Sequence, residues 1–185
     1  MYSFSQTHRG PTLQTPRLLL RPIVREDAAD IYAYSRTADV GPLAGWKPHE
    51  SIRETRKVMK QIFLGQKDVF GIAQRSDGRI IGSIGLIADP KRDNDRVRML
   101  GYALSQAHWG KGYMTEAAQA LLHHGWETLC IDLISAYCYP FNRRSAHVLE
   151  KCGFAYEGML KLAEKRYDGQ VLDNLCYALP RPDAL

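Results

Sequence analysis

The spacing of apolar residues changes several times along this chain, and each change marks an element. Arg17–Ile23 carries Leu18, Leu19 and Leu20 in a short apolar run that Pro22 closes, which reads as a strand. Arg25-Glu26-Asp27 places acidic residues where a helix begins, and Ile31, Tyr32 and Tyr34 follow on its body. Gly41-Pro42 and Gly45 punctuate a loop that carries Trp46. From Ser51 to Leu64, Ile52, Thr55, Val58, Met59 and Ile62 recur at helical spacing. The pattern then shortens to strands over 68–75 and 79–88, with Ser76-Asp77-Gly78 as the hairpin turn between them, and again over 97–104. A helix over 116–129, a strand over 133–139, a short helix over 143–151 with Gly153 as its C-terminal cap, and strands over 154–162 and 170–179 complete the reading.

The predicted order is β-α-α-β-β-β-α-β-α-β-β. An antiparallel meander precedes two αβ crossovers, so the expected class is α/β (α+β), with a mixed, mostly antiparallel twisted sheet of about seven strands flanked by about four helices. No internal repeat or Gly/Pro-rich linker divides the 185 residues, and 17–180 is expected to be a single domain after a loose leader over 1–16.

Composition narrows the function classes. The chain is 45% hydrophobic and 24% charged, ordinary for a globular protein. Its longest apolar runs are far shorter than a membrane span, and its first residues lack the apolar middle of a signal peptide, so a cytoplasmic protein with no membrane partner is expected. Cys130, Cys138, Cys152 and Cys176 show no C-x-x-C spacing, no histidine completes a zinc set, and reduced thiols with no metal are the reading. The net charge of +5 suits anionic ligands. It is dispersed, and short clusters such as Arg143-Arg144 lack neighbouring aromatic platforms, which argues against a nucleic-acid partner. His108, His123, His124 and His147 read as surface or packing residues, and Trp46 as either a pocket wall or a core plug.

The most informative stretch is Trp109-Gly110-Lys111-Gly112-Tyr113-Met114-Thr115-Glu116, between a strand and a helix. A glycine-spaced turn feeding a helix start collects free backbone N–H groups at the positive end of the helix dipole, a natural seat for a diphosphate. A plain strand-to-helix turn is the alternative that spacing alone leaves open.

Four pieces together resemble the GNAT N-acetyltransferases, and more closely their ribosomal-protein N-acetyltransferase branch (the RimJ/RimL type). They are Thr15–Pro22, Ile81-Gly82-Ser83-Ile84-Gly85, Leu100–Leu104 with Trp109–Tyr113, and Asn142-x-x-Ser145 with Glu150–Phe154. The resemblance covers about residues 16 to 180. It implies the GNAT fold and transfer of an acetyl group from acetyl-CoA to a primary amine, either a protein N-terminus or a small molecule, by direct attack in a ternary complex. A module that binds acetyl-CoA without turnover is the rival, and pairing into a homodimer is open. Two positions depart from the pattern. Met114 stands where the wider superfamily has Gly or Ala, and Met99 stands where relatives often carry a glutamate.

The same resemblance implies roles. The backbone of Tyr102, Ala103 and Leu104 would bond the thioester and pantetheine arm. Gly110, Lys111, Gly112, Tyr113, Met114 and Thr115 would wrap the diphosphate. Asn142 would anchor the pantetheine arm, and is also a suitable helix N-cap. Ser145 would serve the departing sulfur as acid or relay, or simply occupy the first helical turn. A tyrosine further along that helix, used by many relatives, is replaced by Leu149. Glu164, in Glu157-Gly158-Met159-Leu160-Lys161-Leu162-Ala163-Glu164, would be the base for the amine; the alternative is a solvated loop glutamate paired with Lys165 or Arg166.

Overall fold

A computed structural model describes residues 10–182. Eight strands form one sheet in the order β1-β2-β3-β4-β5-β6-β8-β7. They are β1 (Leu13–Gln14), β2 (Leu18–Arg21), β3 (Val69–Gln74), β4 (Ile80–Ala88), β5 (Val97–Leu104), β6 (Leu133–Cys138), β7 (Ala155–Lys165) and β8 (Val171–Pro180). The helices are α1 (Ala28–Ser35), α2 (Ile52–Ile62), α3 (Tyr113–Glu127) and α4 (Arg143–Lys151). Every neighbouring pair of strands runs antiparallel except β5–β6.

The mixed sheet and the helices match the expectation, with three corrections. Leu13–Gln14, expected within a loose leader, pairs with Leu19 and Leu20 as an eighth strand; residues 1–9 of that leader lie outside the described residues. Helix α3 begins at Tyr113 rather than Glu116. Strand β7 continues to Lys165, so Glu164 is a strand residue and not a loop residue.

Strand alternation divides the core between the two faces of the sheet. On β3, Phe70 and Ile72 join a large cluster with Ala117, Ala118, Leu121 and Leu122 of α3, while Ala73 joins Ile31 and Tyr34 of α1 and Met59 of α2. Burying each large aliphatic side chain contributes roughly 1.5–3 kcal/mol, so these faces hold the helices in place. Helix α2 starts where Ser51 Oγ accepts the Glu54 amide at 3.2 Å. Trp46 resolves as a core plug: it packs against the α1–α2 cluster and lies under Gly41.

Candidate active site

The parallel pair β5–β6 is short. Val97, Arg98 and Met99 oppose Leu133, Ile134 and Ser135, and the pairing stops there. Beyond Met99, β5 keeps its ladder with β4, and β6 keeps its ladder with β8, but the two strands no longer bond each other. The sheet opens into a wedge whose facing backbone edges lack sheet partners. A cavity of about 560 Å³ occupies this wedge, lined on the β5 side by residues 99–104 and on the β6 side by Ala136, Tyr137 and Cys138.

The glycine turn closes one end of the cavity. Gly110 and Gly112 have φ of 73° and 77°, in the left-handed region where a side chain is strained. Trp109 Nε1 donates to Leu104 O at 2.9 Å and fixes the turn to the end of β5. No amide from Gly110 to Thr115 donates to any acceptor among the described residues; the first helical bond is Glu116 N to Gly112 O at 3.1 Å. That row of free N–H groups ends at the start of α3, the arrangement that attracts an anion. All of these residues except Lys111, whose side chain is exposed, line the cavity. Met114 turns its side chain into the main core, which explains why a large residue is tolerated there.

The turn is braced from outside. Glu116 accepts from Thr15 Oγ1 at 2.6 Å, Arg17 N at 2.9 Å and Arg17 Nε at 2.6 Å, and Arg17 Nη1 donates to Lys111 O at 2.9 Å. The Arg17 guanidinium also lies 4.4 Å from the centre of the Tyr113 ring. Burial alone would raise the Glu116 pKa, but the bonds from Thr15 and Arg17 outweigh it and hold this carboxyl below its ordinary range. Arg144 lines the cavity beside the turn, its guanidinium 4.8 Å from the Trp109 ring centre, so this arginine of the Arg143-Arg144 cluster has an aromatic neighbour that the sequence did not show, and it faces the site.

Asn142 and Ser145 begin α4. Asn142 Oδ1 caps the helix by accepting Ser145 N at 3.2 Å, and Nδ2 donates to Leu43 O at 3.0 Å. Capping is therefore realised, and the same side chain ties α4 to the loop at Gly41–Ala44 while lining the cavity. Ser145 Oγ lies 2.8 Å from Tyr102 Oη, which also donates to Ser145 O at 3.2 Å. Burial pushes the Tyr102 phenol far above its ordinary range, so the Tyr102–Ser145 pair is neutral and hydrogen-bonded. The sequence reading used only the backbone of Tyr102; its hydroxyl is an added member of the site, visible only once β5 and α4 are brought together.

Glu164 reaches the same cavity from β7. Tyr139 Oη donates to Glu164 Oε1 at 2.7 Å, and among the described residues Oε2 has no partner. Burial, then the bond to Glu164, raises the Tyr139 phenol far above its usual range. Gly45, with φ of 88°, leaves room for the carboxylate: a Cβ there would lie 2.7 Å from Glu164 Oε1. The expected partners do not hold Glu164. Arg166 binds Asp168 at 2.6 Å and Pro42 O at 3.2 Å instead. Among the described residues, His108 and His147 are the histidines that line the cavity; His108 Nε2 meets Gln74 Oε1 at 3.1 Å, and burial lowers its pKa.

Comparison with known proteins agrees with this geometry. The family model described as an acetyltransferase (GNAT) domain matches residues 17–155. The chain belongs to the GNAT acetyltransferase family. It is an N-acetyltransferase by that membership, and acetyl-CoA is the donor general to the family. It is 32% identical to the [ribosomal protein uS5]-alanine N-acetyltransferase of Escherichia coli over 195 residues, covering 99% of this chain and 97% of that relative. It is 31% identical to the N-acetyltransferase p20 of Bacillus licheniformis over 173 residues, covering 91% and 95%. A GNAT-family acetyltransferase of Bacillus anthracis superposes with a TM-score of 0.81 at 24% identity, covering 92% of this chain and 98% of that one. The ribosomal-protein-S5-alanine acetyltransferase of Vibrio fischeri gives 0.74 at 23% identity, covering 95% and 99%.

Proposed function

We propose that this chain moves an acetyl group from acetyl-CoA to a primary amine, with Glu164 as the base and the Ser145 hydroxyl, held by Tyr102, as the hydrogen-bond donor to the departing sulfur. One observation carries the reading: the free amides of 110–115, the unpaired edge of β5 and the Glu164 carboxylate all open on one cavity. The residues present fit the donor. A diphosphate suits the turn at Gly110–Thr115, with Arg144 adding positive charge beside it. Residues 102–104 offer backbone groups to an extended arm, as does the Asn142 amide with its remaining hydrogen-bond capacity.

Bound there, acetyl-CoA would supply the thioester carbonyl that the amine attacks. The chain supplies the rest. Glu164 Oε2 receives the amine's proton, while the Tyr139 hydroxyl fixes Oε1 and keeps the carboxylate oriented. Ser145 Oγ donates a hydrogen bond that stabilises the departing thiolate, Tyr102 Oη holds that hydroxyl in place, and the thiolate takes its proton from solvent as it leaves. Backbone donors on the open edge of β5 suit the developing oxyanion. Among the described residues, Glu164 is the one carboxylate in the cavity lining, so no second acidic side chain there competes for the amine's proton.

The acceptor is an amine of a protein N-terminus or a small molecule. The alanine of ribosomal protein uS5 in the name of the Escherichia coli relative makes an alanine peptide the first acceptor to try. The unit is taken as a single domain, expected over 17–180 and extended at its start by β1 at Leu13–Gln14. A cytoplasmic setting is supported by four free cysteines, and no described helix is long and apolar enough to cross a membrane. The test is calorimetry with acetyl-CoA followed by thiol release over a panel of peptide and small amines. Binding plus amine-dependent release is expected. Absence of binding overturns the reading, and binding without release from any amine replaces it with a non-catalytic acetyl-CoA module.

A further inference from the structure

Glu164 does not reach the cavity by ordinary strand alternation. Along the β7–β8 hairpin, Met159 faces Leu175 and Leu160 faces Asn174, but the next pairs are Glu164 with Leu172 and Lys165 with Val171. Between Leu160 and Glu164, β7 spends two more residues than β8. A regular ladder would set Leu162 opposite Leu172. Instead Leu162 is thrown out, 73% exposed and at φ 52°, and Glu164 takes the slot that faces Tyr139. Bulges of this kind re-aim side chains beside active sites.

One side chain holds the bulge. Asp173, on the opposing strand, accepts the Leu162 amide on Oδ1 at 2.9 Å and the Lys161 ammonium on Oδ2 at 2.9 Å. These bonds supply the partner that the Leu162 N–H lost when it left the ladder. We propose that Asp173 is a positioning residue for Glu164: its carboxylate locks the bulge of β7 and so sets which residue of that strand faces the amine. The proposal rests on the reading of Glu164 as the base. Without the lock, the hairpin gains two ladder positions by sliding, and Glu164 moves along the strand by about 7 Å, out of reach of the Tyr139 hydroxyl. The Leu162 amide bond and then the Lys161 charge hold Asp173 ionised below the usual carboxylate range, so the lock stays intact at neutral pH.

The test is a set of variants assayed for kcat and KM with an amine acceptor. Asp173→Ala is expected to lower kcat about tenfold with KM for acetyl-CoA within about twofold, because the donor side is untouched. Asp173→Asn keeps an oxygen for the Leu162 amide and is expected to recover the rate to within about threefold. It also covers the case in which the alanine variant does not fold; a tenfold loss in the asparagine variant would overturn the role given to the amide bond. In a Glu164→Gln background, Asp173→Ala is expected to change nothing further, since there is no base left to place. Multiplying losses would overturn positioning in favour of general damage. An Asp173→Ala rate near the parent's, alongside a large Glu164→Gln effect, overturns the proposal and leaves the base reading standing. A silent Glu164→Gln overturns the base reading, and the positioning role falls with it.

Discussion

The two halves of the cavity are built on different physics. The half proposed to hold the acetyl donor, the donor half, is formed by β4, β5, the glycine turn and α3 and offers mainly backbone groups. Its strands pair in unbroken register from Gly82–Leu104 to Ala88–Arg98, and its side chains go inward to a large apolar cluster. The half proposed to face the amine, the acceptor half, is formed by β7, β8 and the loop at Gly41–Ala44 and offers individual side chains. Its register breaks twice, most of β7 is exposed, and its polar contacts are made by single side chains: Tyr139 on Glu164, Asp173 on Leu162 and Lys161, Arg166 on Asp168 and Pro42. A backbone site tolerates changes of side chain, as Met114 shows. A side-chain site does not, and single polar substitutions should fall hardest there.

The comparison is tested most severely by Glu164→Gln. It removes the proposed proton acceptor and keeps the shape, so kcat should drop about a hundredfold near neutral pH, or about 2.7 kcal/mol in the transition state, with acetyl-CoA affinity unchanged. Steady-state kinetics beside calorimetry would show it. A rate within roughly twofold of the parent would mean that the acceptor half is not side-chain driven at all.

Glu116→Ala probes a polar strut of the donor half. It deletes three charge-assisted or strong hydrogen bonds that tie residues 15–17 to α3, and roughly 2 kcal/mol of stability should go with them. The pH dependence has a definite sign. The folded pKa is held below the unfolded one, so the contribution is full above the unfolded value of about 4.3 and fades as pH falls through the lowered folded value. Urea melts of parent and variant should therefore differ at pH 7 and converge in acid. A gap that persists in strong acid would assign the effect to packing.

Legibility in the sequence follows the same division. The meander, the αβ crossovers and the glycine turn were readable because each rests on local signals: alternation, helical spacing, and Gly at 110 and 112 where φ is positive. Glu164 and Ser145 were named through family resemblance, and the cavity does bring both to its lining. What escaped was set by long-range pairing. Leu13–Gln14 is too short to show a pattern, and it becomes a strand only because β2 lies alongside. Tyr139, Gly45 and Asp173 matter through neighbours far away in the chain. The bulge is invisible to periodicity, because Leu160-Lys161-Leu162-Ala163-Glu164 alternates as well in the wrong register as in the right one. Glu116, read as a helix start, is instead the fourth residue of α3 and a brace for the turn.

A smaller effect is expected at Gly112, where the donor half should show its sensitivity to backbone alone. Valine there must adopt φ near 77°, and its Cβ would come 3.4 Å from Arg17 Nη2. The turn should shift and weaken acetyl-CoA binding about tenfold, or about 1.4 kcal/mol, while kcat at saturating donor changes little. Calorimetry that found unchanged affinity would remove the turn from the diphosphate site and with it the contrast between the halves.

The mildest test lies in the bulge of β7. Leu162 holds a left-handed backbone at φ 52° while 73% of its surface faces solvent, so it bears strain and recovers little by burial. Glycine meets that φ without the Cβ clash but gives the unfolded chain more freedom, and the two effects oppose each other. Relief of about 1–2 kcal/mol against an entropic cost of about 0.5–1 kcal/mol leaves a gain near 0.5 kcal/mol for Leu162→Gly, a rise of about 1–2 °C in Tm. A calorimetric melt that moved the other way would show the leucine side chain making a contact that stabilises the hairpin. The acceptor half would then owe its shape to packing at 162 as well as to the polar lock at 173.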